Sequence, residues 1–226
     1  MRPRSCAQAL KFAEICPKPV TMRYLFHMLF FLASGCVLAQ NASPAFTAEI
    51  ANHRQQYKDD FIRHSYSPLK ATDTSLLDFH APDTTWRFPA IFTLRQDAQP
   101  FNMLTYSGVK QLYRIYGTLQ IDVNGQPYTL QLYQNMGLLQ DSAYQDYLFL
   151  PFKDLTNGEQ TYEGGRYLDF RTDDIRNGVL VVDFNKAYNP YCAYSDGYSC
   201  PIPPKENHLD LAVKAGEKTF RGTKKH

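Results

Sequence analysis

The Asn124-Gly125 pair constrains this chain's architecture more than any other local feature. Asn-Gly is the preferred two-residue turn between antiparallel strands, because both central residues must take positive φ. A two-residue turn pairs Val123 with Gln126, Ile121 with Tyr128, Leu119 with Leu130 and Gly117 with Leu132. Those residues make one mostly apolar face. The opposite face pairs Gln120 with Thr129, Thr118 with Gln131 and Tyr116 with Tyr133. Turn chemistry and hydrophobic register agree, and a one-residue slip would turn every apolar side chain to the wrong face.

Shorter segments extend the pattern. Strands are predicted over 147–152 and 166–171, with Asn157-Gly158 and Asn177-Gly178 marking turns. Val179 to Phe184 is a continuous apolar run, which predicts a buried central strand. Phe88 to Leu94 and Met103 to Tyr106 read as edges. The 16 Tyr and 15 Phe suit half-buried strand surfaces. The predicted fold is mainly β, an antiparallel barrel or sandwich with one N-terminal helix packed on it. That helix spans 44–64. Ser43 caps it, Pro44 fits its first turn, and Phe46, Ile50, Tyr57 and Phe61 form its apolar stripe. His53 lies on the same stripe and reads as a core-edge histidine. The Pro- and Asp-rich stretch from Ser67 to Pro89 reads as an ordered connection, with Trp86 as a packing anchor.

Residues 24–38, YLFHMLFFLASGCVL, follow Arg23 and end near Ala39. A basic flank, a short apolar run and a small residue at the cut make a secretory signal. The run is too short for a membrane span, so none is expected after cleavage. Met22 reads as the start, with 1–21 an over-extended beginning. The expected organisation is 1–39 leader, 40–66 N-terminal helix, 67–220 one β-rich domain and 221–226 a basic tail. The expected location is periplasmic or secreted. The alternative is a lipoprotein anchored through Cys36, in Ala33-Ser34-Gly35-Cys36, although Ala33 stands where a large aliphatic residue is usual. The leader holds five of the 24 basic side chains and one of the 22 acidic ones, leaving a remainder near −2. No segment of it concentrates Lys and Arg, so nucleic acid is not an expected partner.

Cys6, Cys16 and Cys36 precede the cut; Cys192 and Cys200 follow it. In an oxidising compartment two such cysteines read as a disulfide, stabilising by about 2–3 kcal/mol through its short loop. Half a zinc site and a redox pair are the rivals. Zinc wants a closer pair and two more ligands, and redox pairs are usually two residues apart. No metal and no cofactor are expected.

The chain lacks a Gly-x-Ser-x-Gly elbow, a His-Glu-x-x-His helix, a P-loop and a dinucleotide fingerprint. Its chemistry-bearing residues gather near the C-terminus. Arg166, Tyr167, Asp183, Asn185, Tyr188 and Asn189 form a candidate ligand-binding face, with Arg166 as an anion clamp and Tyr rings as walls. The structural alternative pairs Arg166 with Asp169 or Asp183 and gives Asn185 and Asn189 to turn backbone. Asp169 with Asp183 or Glu206 is a candidate acid–base pair for glycoside chemistry. Asp173, Asp174 and Asn177 suggest a calcium site or, more plainly, an exposed acidic turn.

Four stretches carry a resemblance: Thr161 to Leu168 (TYEGGRYL), Asp183 to Ala193 (DFNKAYNPYCA), Cys200 to Asn207 (CPIPPKEN) and Ala215 to Glu217 (AGE). With them the chain resembles an uncharacterised exported bacterial family catalogued as a domain of unknown function. Glu163 departs from the family pattern, where a third glycine is usual. The resemblance implies the domain extent and the export pattern, and it supplies no activity. The expected function is an exported cell-envelope domain that is not an enzyme and binds a small ligand, glycan or envelope partner. The alternatives are a hydrolase of envelope material and a purely structural scaffold.

Overall fold

The computed structural model describes residues 42–226. The expected leader, the cut after Ala39 and the Cys36 anchor lie outside the described residues. The helix α1 (Pro44–Arg63) is followed by seven strands: β1 (Arg87–Leu94), β2 (Phe101–Leu104), β3 (Lys110–Val123), β4 (Gln126–Asn135), β5 (Tyr147–Phe152), β6 (Arg166–Arg171) and β7 (Val179–Asp183). They form a single antiparallel sheet in the order β6-β5-β4-β3-β1-β7, with β2 also paired to β3. The sheet is mainly antiparallel and curls into a half-barrel.

The hairpin sits where its turn demands. Asn124 and Gly125 both have positive φ, and the predicted pairs from Val123–Gln126 to Gly117–Leu132 are all formed. Leu119, Ile121, Leu130 and Leu132 are buried inside the curl, joined there by Leu148, Leu150, Phe152, Leu168, Leu180, Val182 and Phe184. One predicted pair fails. Tyr133 faces Ile115 rather than Tyr116, because a β-bulge falls between Ile115 and Gly117. An extra residue in one strand flips the side chains beyond it to the other face. Tyr113 therefore joins Tyr133, Phe149, Tyr167 and Met103 in a second cluster on the outer face. Tyr116 stacks on Phe92, with ring centroids 5.9 Å apart. A Cβ on Gly117 would come within 2.2 Å of the Phe92 ring, so glycine is what allows the ring to lie there.

Two strand placements differ from expectation. β7 is the last strand of the sheet, not a central one, and β1 lies between β3 and β7. Only alternate residues of the apolar run are inside: Leu180 and Val182 are buried, while Val179 and Val181 are exposed. Apolar content alone does not separate a central strand from an edge whose outer face stays wet.

α1 is capped by the Ser43 side chain, which accepts from Phe46 N. Its Phe46, Ile50 and Phe61 are buried. Phe61 packs against Tyr191 and Tyr194, with centroids 5.6 and 5.4 Å away. Trp86 packs edge-on to Phe88 and Phe184. Among the described residues no helix is long and apolar enough to cross a membrane.

Candidate functional site

The two ends of the curled sheet, β6 and β7, do not pair with each other. A cleft of about 910 Å³ runs between them and α1, with the Tyr188–Tyr191 segment and the disulfide loop at its rim. Strand alternation selects what faces it. In β6, Leu168 packs inward, which turns Tyr167 and Asp169 outward; in β7, Leu180 and Val182 pack inward, which turns Val181 and Asp183 outward. Tyr167, Asp169, Asp183 and Tyr188 line the cleft, and α1 adds His53 and Tyr57.

Asp169 is open to solvent through the cleft but ringed by protein on its other sides. Its Oδ1 accepts from Tyr147 Oη at 2.6 Å and Tyr188 Oη at 2.8 Å, and its Oδ2 accepts from Tyr188 at 2.9 Å. Desolvation raises the carboxyl above the usual carboxylate range, and the two hydroxyl donors offset part of that rise. Burial pushes both tyrosines far up, so they remain protonated donors.

Asp183 is 4 % exposed. Its Oδ1 accepts from the backbone and side-chain nitrogens of Asn185, at 3.0 and 2.8 Å. Its Oδ2 is buried and has no hydrogen-bond partner. The nearest cationic nitrogen is Arg87 Nε at 3.8 Å, beyond hydrogen-bond range. Arg87 gives Nη1 to Glu49 at 2.8 Å, and Lys186 gives Nζ to the same carboxylate at 2.9 Å. Burial, then the charge of Lys186, holds the His53 imidazole below its usual range.

The remaining predicted site residues lie elsewhere. Arg166 is fully buried behind the sheet, where it donates to Asp154 Oδ2 at 2.8 Å and to the carbonyls of Val213, Ala215 and Glu217. Its carboxylate partner is Asp154, not Asp169 or Asp183. Asn185 donates to Asp83 O and accepts from Asp83 N, which clamps the connection before β1. Asn189 gives its amide to Lys218 O, and its backbone N–H goes to Glu217. Glu206 is exposed and outside the cleft, so of the three candidate acid–base residues Asp169 and Asp183 line it, together with Asp60 and Asp174. Asp174 caps its own turn by accepting from Arg171 N at 2.7 Å. Cys192 and Cys200 are disulfide-bonded, with Cα atoms 6.2 Å apart.

Sequence reasoning missed Asp154 and the role of Glu217. Glu217 is wholly buried and accepts from Asn189 N, Tyr194 Oη and Tyr57 Oη. Burial raises it to about 7. The closing Ala-Gly-Glu stretch was the available signal, since Gly216 takes φ +74 and leaves no room for a Cβ beside the carbonyls of Phe184 and Ala187.

Residues 73–218 match a family described as "Protein of unknown function (DUF1684)". The chain is also similar to an uncharacterized protein of Haloarcula marismortui solved by solution NMR. The two are 33% identical over 76% of this chain and 93% of that one, with a TM-score of 0.60. No curated protein matches.

Proposed function

The chain belongs to the DUF1684 family of proteins of unknown function, and from that premise we propose that it is an exported domain that binds a small ligand between α1 and the open ends of the sheet. One observation carries the reading: Asp183 lines this cleft, and its Oδ2 is buried without a hydrogen-bond partner. An unpaired buried carboxylate oxygen is costly, and a bound donor relieves that cost. The large, tyrosine-walled concavity fits the same role, since binding sites join apolar walls to a few placed polar groups. Export is supported by the leader pattern before Ala39 and by the Cys192–Cys200 bond, because disulfides persist in oxidising compartments. The location we propose is the periplasm or the outside of the cell, as a free domain; attachment through Cys36 is the alternative.

A native mass spectrum of the protein purified from a cell envelope, without reduction, tests the reading. A retained mass that leaves on denaturation, and is missing in Asp183→Asn, supports it. A bare mass in both proteins counts against it. A lipid adduct on Cys36 would replace the free domain by the anchored one.

A second reading is favoured by the pairing of Asp169 with Asp183 in one cleft. Two carboxyls in one cleft, that of Asp169 raised above its ordinary range by desolvation, suit acid–base hydrolysis of envelope material. Loss of a hydrolytic activity in Asp183→Asn, with the fold intact, would establish it. A scaffold role fits Arg166, Asn185, Asn189 and Glu217, whose polar groups go mainly to backbone and to one another.

A further inference from the structure

We propose that Asn177-Gly178 is a spontaneous modification site, where the Asn177 side-chain amide is lost to water through a cyclic imide closed by the Gly178 nitrogen. The modification is independent of what the cleft binds.

The sequence holds three Asn-Gly pairs, beginning at Asn124, Asn157 and Asn177. Asparagine is thermolabile, and a following glycine has no Cβ to hinder the approach of its nitrogen to the amide carbon. The pair alone marks all three alike; the fold separates them. Asn157 is held at both ends of its amide. Its Oδ1 accepts from Asp154 N at 2.7 Å, and its Nδ2 donates to Thr161 Oγ1 and Tyr162 O, each at 2.9 Å. Gly158 N is engaged as well, donating to Thr161 O at 2.9 Å. Asn124 and Asn177 are both exposed and sit in matching turns, at φ 55 and 53. What differs is the attacking nitrogen. Gly125 N donates to Asp122 Oδ1 at 2.7 Å. A charged acceptor holds that N–H strongly and opposes its deprotonation. At the third pair, neither the Asn177 side chain nor Gly178 N makes a hydrogen bond among the described residues, and the space beside Gly178 is open.

The chemistry needs only water. Gly178 N loses its proton and bonds to Asn177 Cγ, and ammonia leaves with the side-chain nitrogen. Water then opens the imide. Entry at Cγ restores the main chain and leaves aspartate; entry at the backbone carbonyl carbon routes the chain through Cγ and leaves isoaspartate. One water is consumed, one ammonia is released, and nothing is oxidised or reduced. Either product sets a new carboxylate beside Arg176, which lines the cleft. Isoaspartate also lengthens the turn that the paired backbones of Arg176 and Val179 close at 2.9 and 3.0 Å, next to the Gly178 carbonyl that Phe92 N holds at 2.8 Å. The start of β7 is thereby loosened from β1.

The test is peptide mapping by mass spectrometry of the purified protein during incubation in warm, mildly alkaline buffer, with acid and amide forms quantified at each pair. Asn177 should convert first, Asn124 about 10-fold more slowly, and Asn157 not at all over the same period. Asp122→Ala should bring Asn124 up to the rate of Asn177 and leave Asn177 unchanged. In guanidinium chloride, with the fold gone, the three pairs of the parent chain should convert at similar rates. Absence of conversion at Asn177, or an Asn124 that matches it in the parent, overturns the proposal. So does an Asp122→Ala variant whose Asn124 stays slow. A ranking that survives in guanidinium overturns it too, because flanking sequence and not the fold would then set the rates.

Discussion

Arg166 donates to Asp154 Oδ2 at 2.8 Å, and neither side chain reaches solvent. The guanidinium also takes the carbonyls of Val213, Ala215 and Glu217, so one side chain ties β6 to the C-terminal segment. Removing one partner of a buried pair strands the other, at about 3–5 kcal/mol. Arg166→Ala should therefore lower the melting temperature by on the order of 10 °C. A calorimetric melt near that of the parent protein would show that Arg166 is not structural.

Glu217 and His80 should oppose each other in the pH dependence of stability. Glu217, raised by burial to about 7, favours its neutral form in the folded state. Its contribution is full below the unfolded value near 4.5 and is lost as pH rises through 7. At full burial that difference amounts to roughly 3 kcal/mol. His80 is pushed down to about 4, first by desolvation and then by Arg166 and Lys218. Its contribution is present above about 6.5 and lost as pH falls toward 4. The two slopes overlap with opposite sign. Glu217→Gln should leave stability rising with pH between about 4 and 6.5, read from urea midpoints. An unchanged profile would mean that Glu217 ionises normally in the fold.

The disulfide closes a short loop, Cys192 to Cys200, that carries one wall of the cleft. The segment is also tied to the C-terminal end: Asp196 N bonds Lys225 O, and the Asp196 carboxylate meets Lys224 at 2.6 Å. Those ties persist without the S–S bond. Reduction should then cost about 2–3 kcal/mol, as loop entropy dictates, and leave the fold intact. Melts with and without reductant check this, and loss of the folded baseline on reduction would contradict it.

The hairpin was legible because turn, alternation and register are all local. The helix was legible because its cap and stripe lie within 20 residues. The Tyr116 bulge was not legible, since the ring that lies over Gly117 beside it, that of Phe92, arrives from another strand. Nor was the central-or-edge question for Val179–Asp183, which depends on what pairs beyond it. At the site, the sequence gathered the right neighbourhood but could not sort it. Alternation places Asp169 and Asp183 on outward faces, while Arg166 goes to an aspartate twelve residues upstream whose burial no local pattern signals.

Tyr188→Phe should raise the Asp169 carboxyl further above its ordinary range without unfolding the protein. The hydroxyl of Tyr188 donates to both oxygens of Asp169, at 2.8 and 2.9 Å. A donor to the charged form lowers a carboxyl's pKa, and here it works against the larger effect of desolvation. Removing the hydroxyl leaves Tyr147 as the remaining donor at 2.6 Å, with desolvation opposed by less. The ring itself stays packed between Tyr57 and Tyr167, and the backbone pairing of residue 188 with Tyr167 does not involve the side chain. A carboxyl-carbon NMR titration of parent and variant reads the shift directly. An upward move establishes the Tyr188 hydroxyl as a group that opposes the desolvation of Asp169. No move, or a downward one, would mean that these hydrogen bonds do not control the carboxyl.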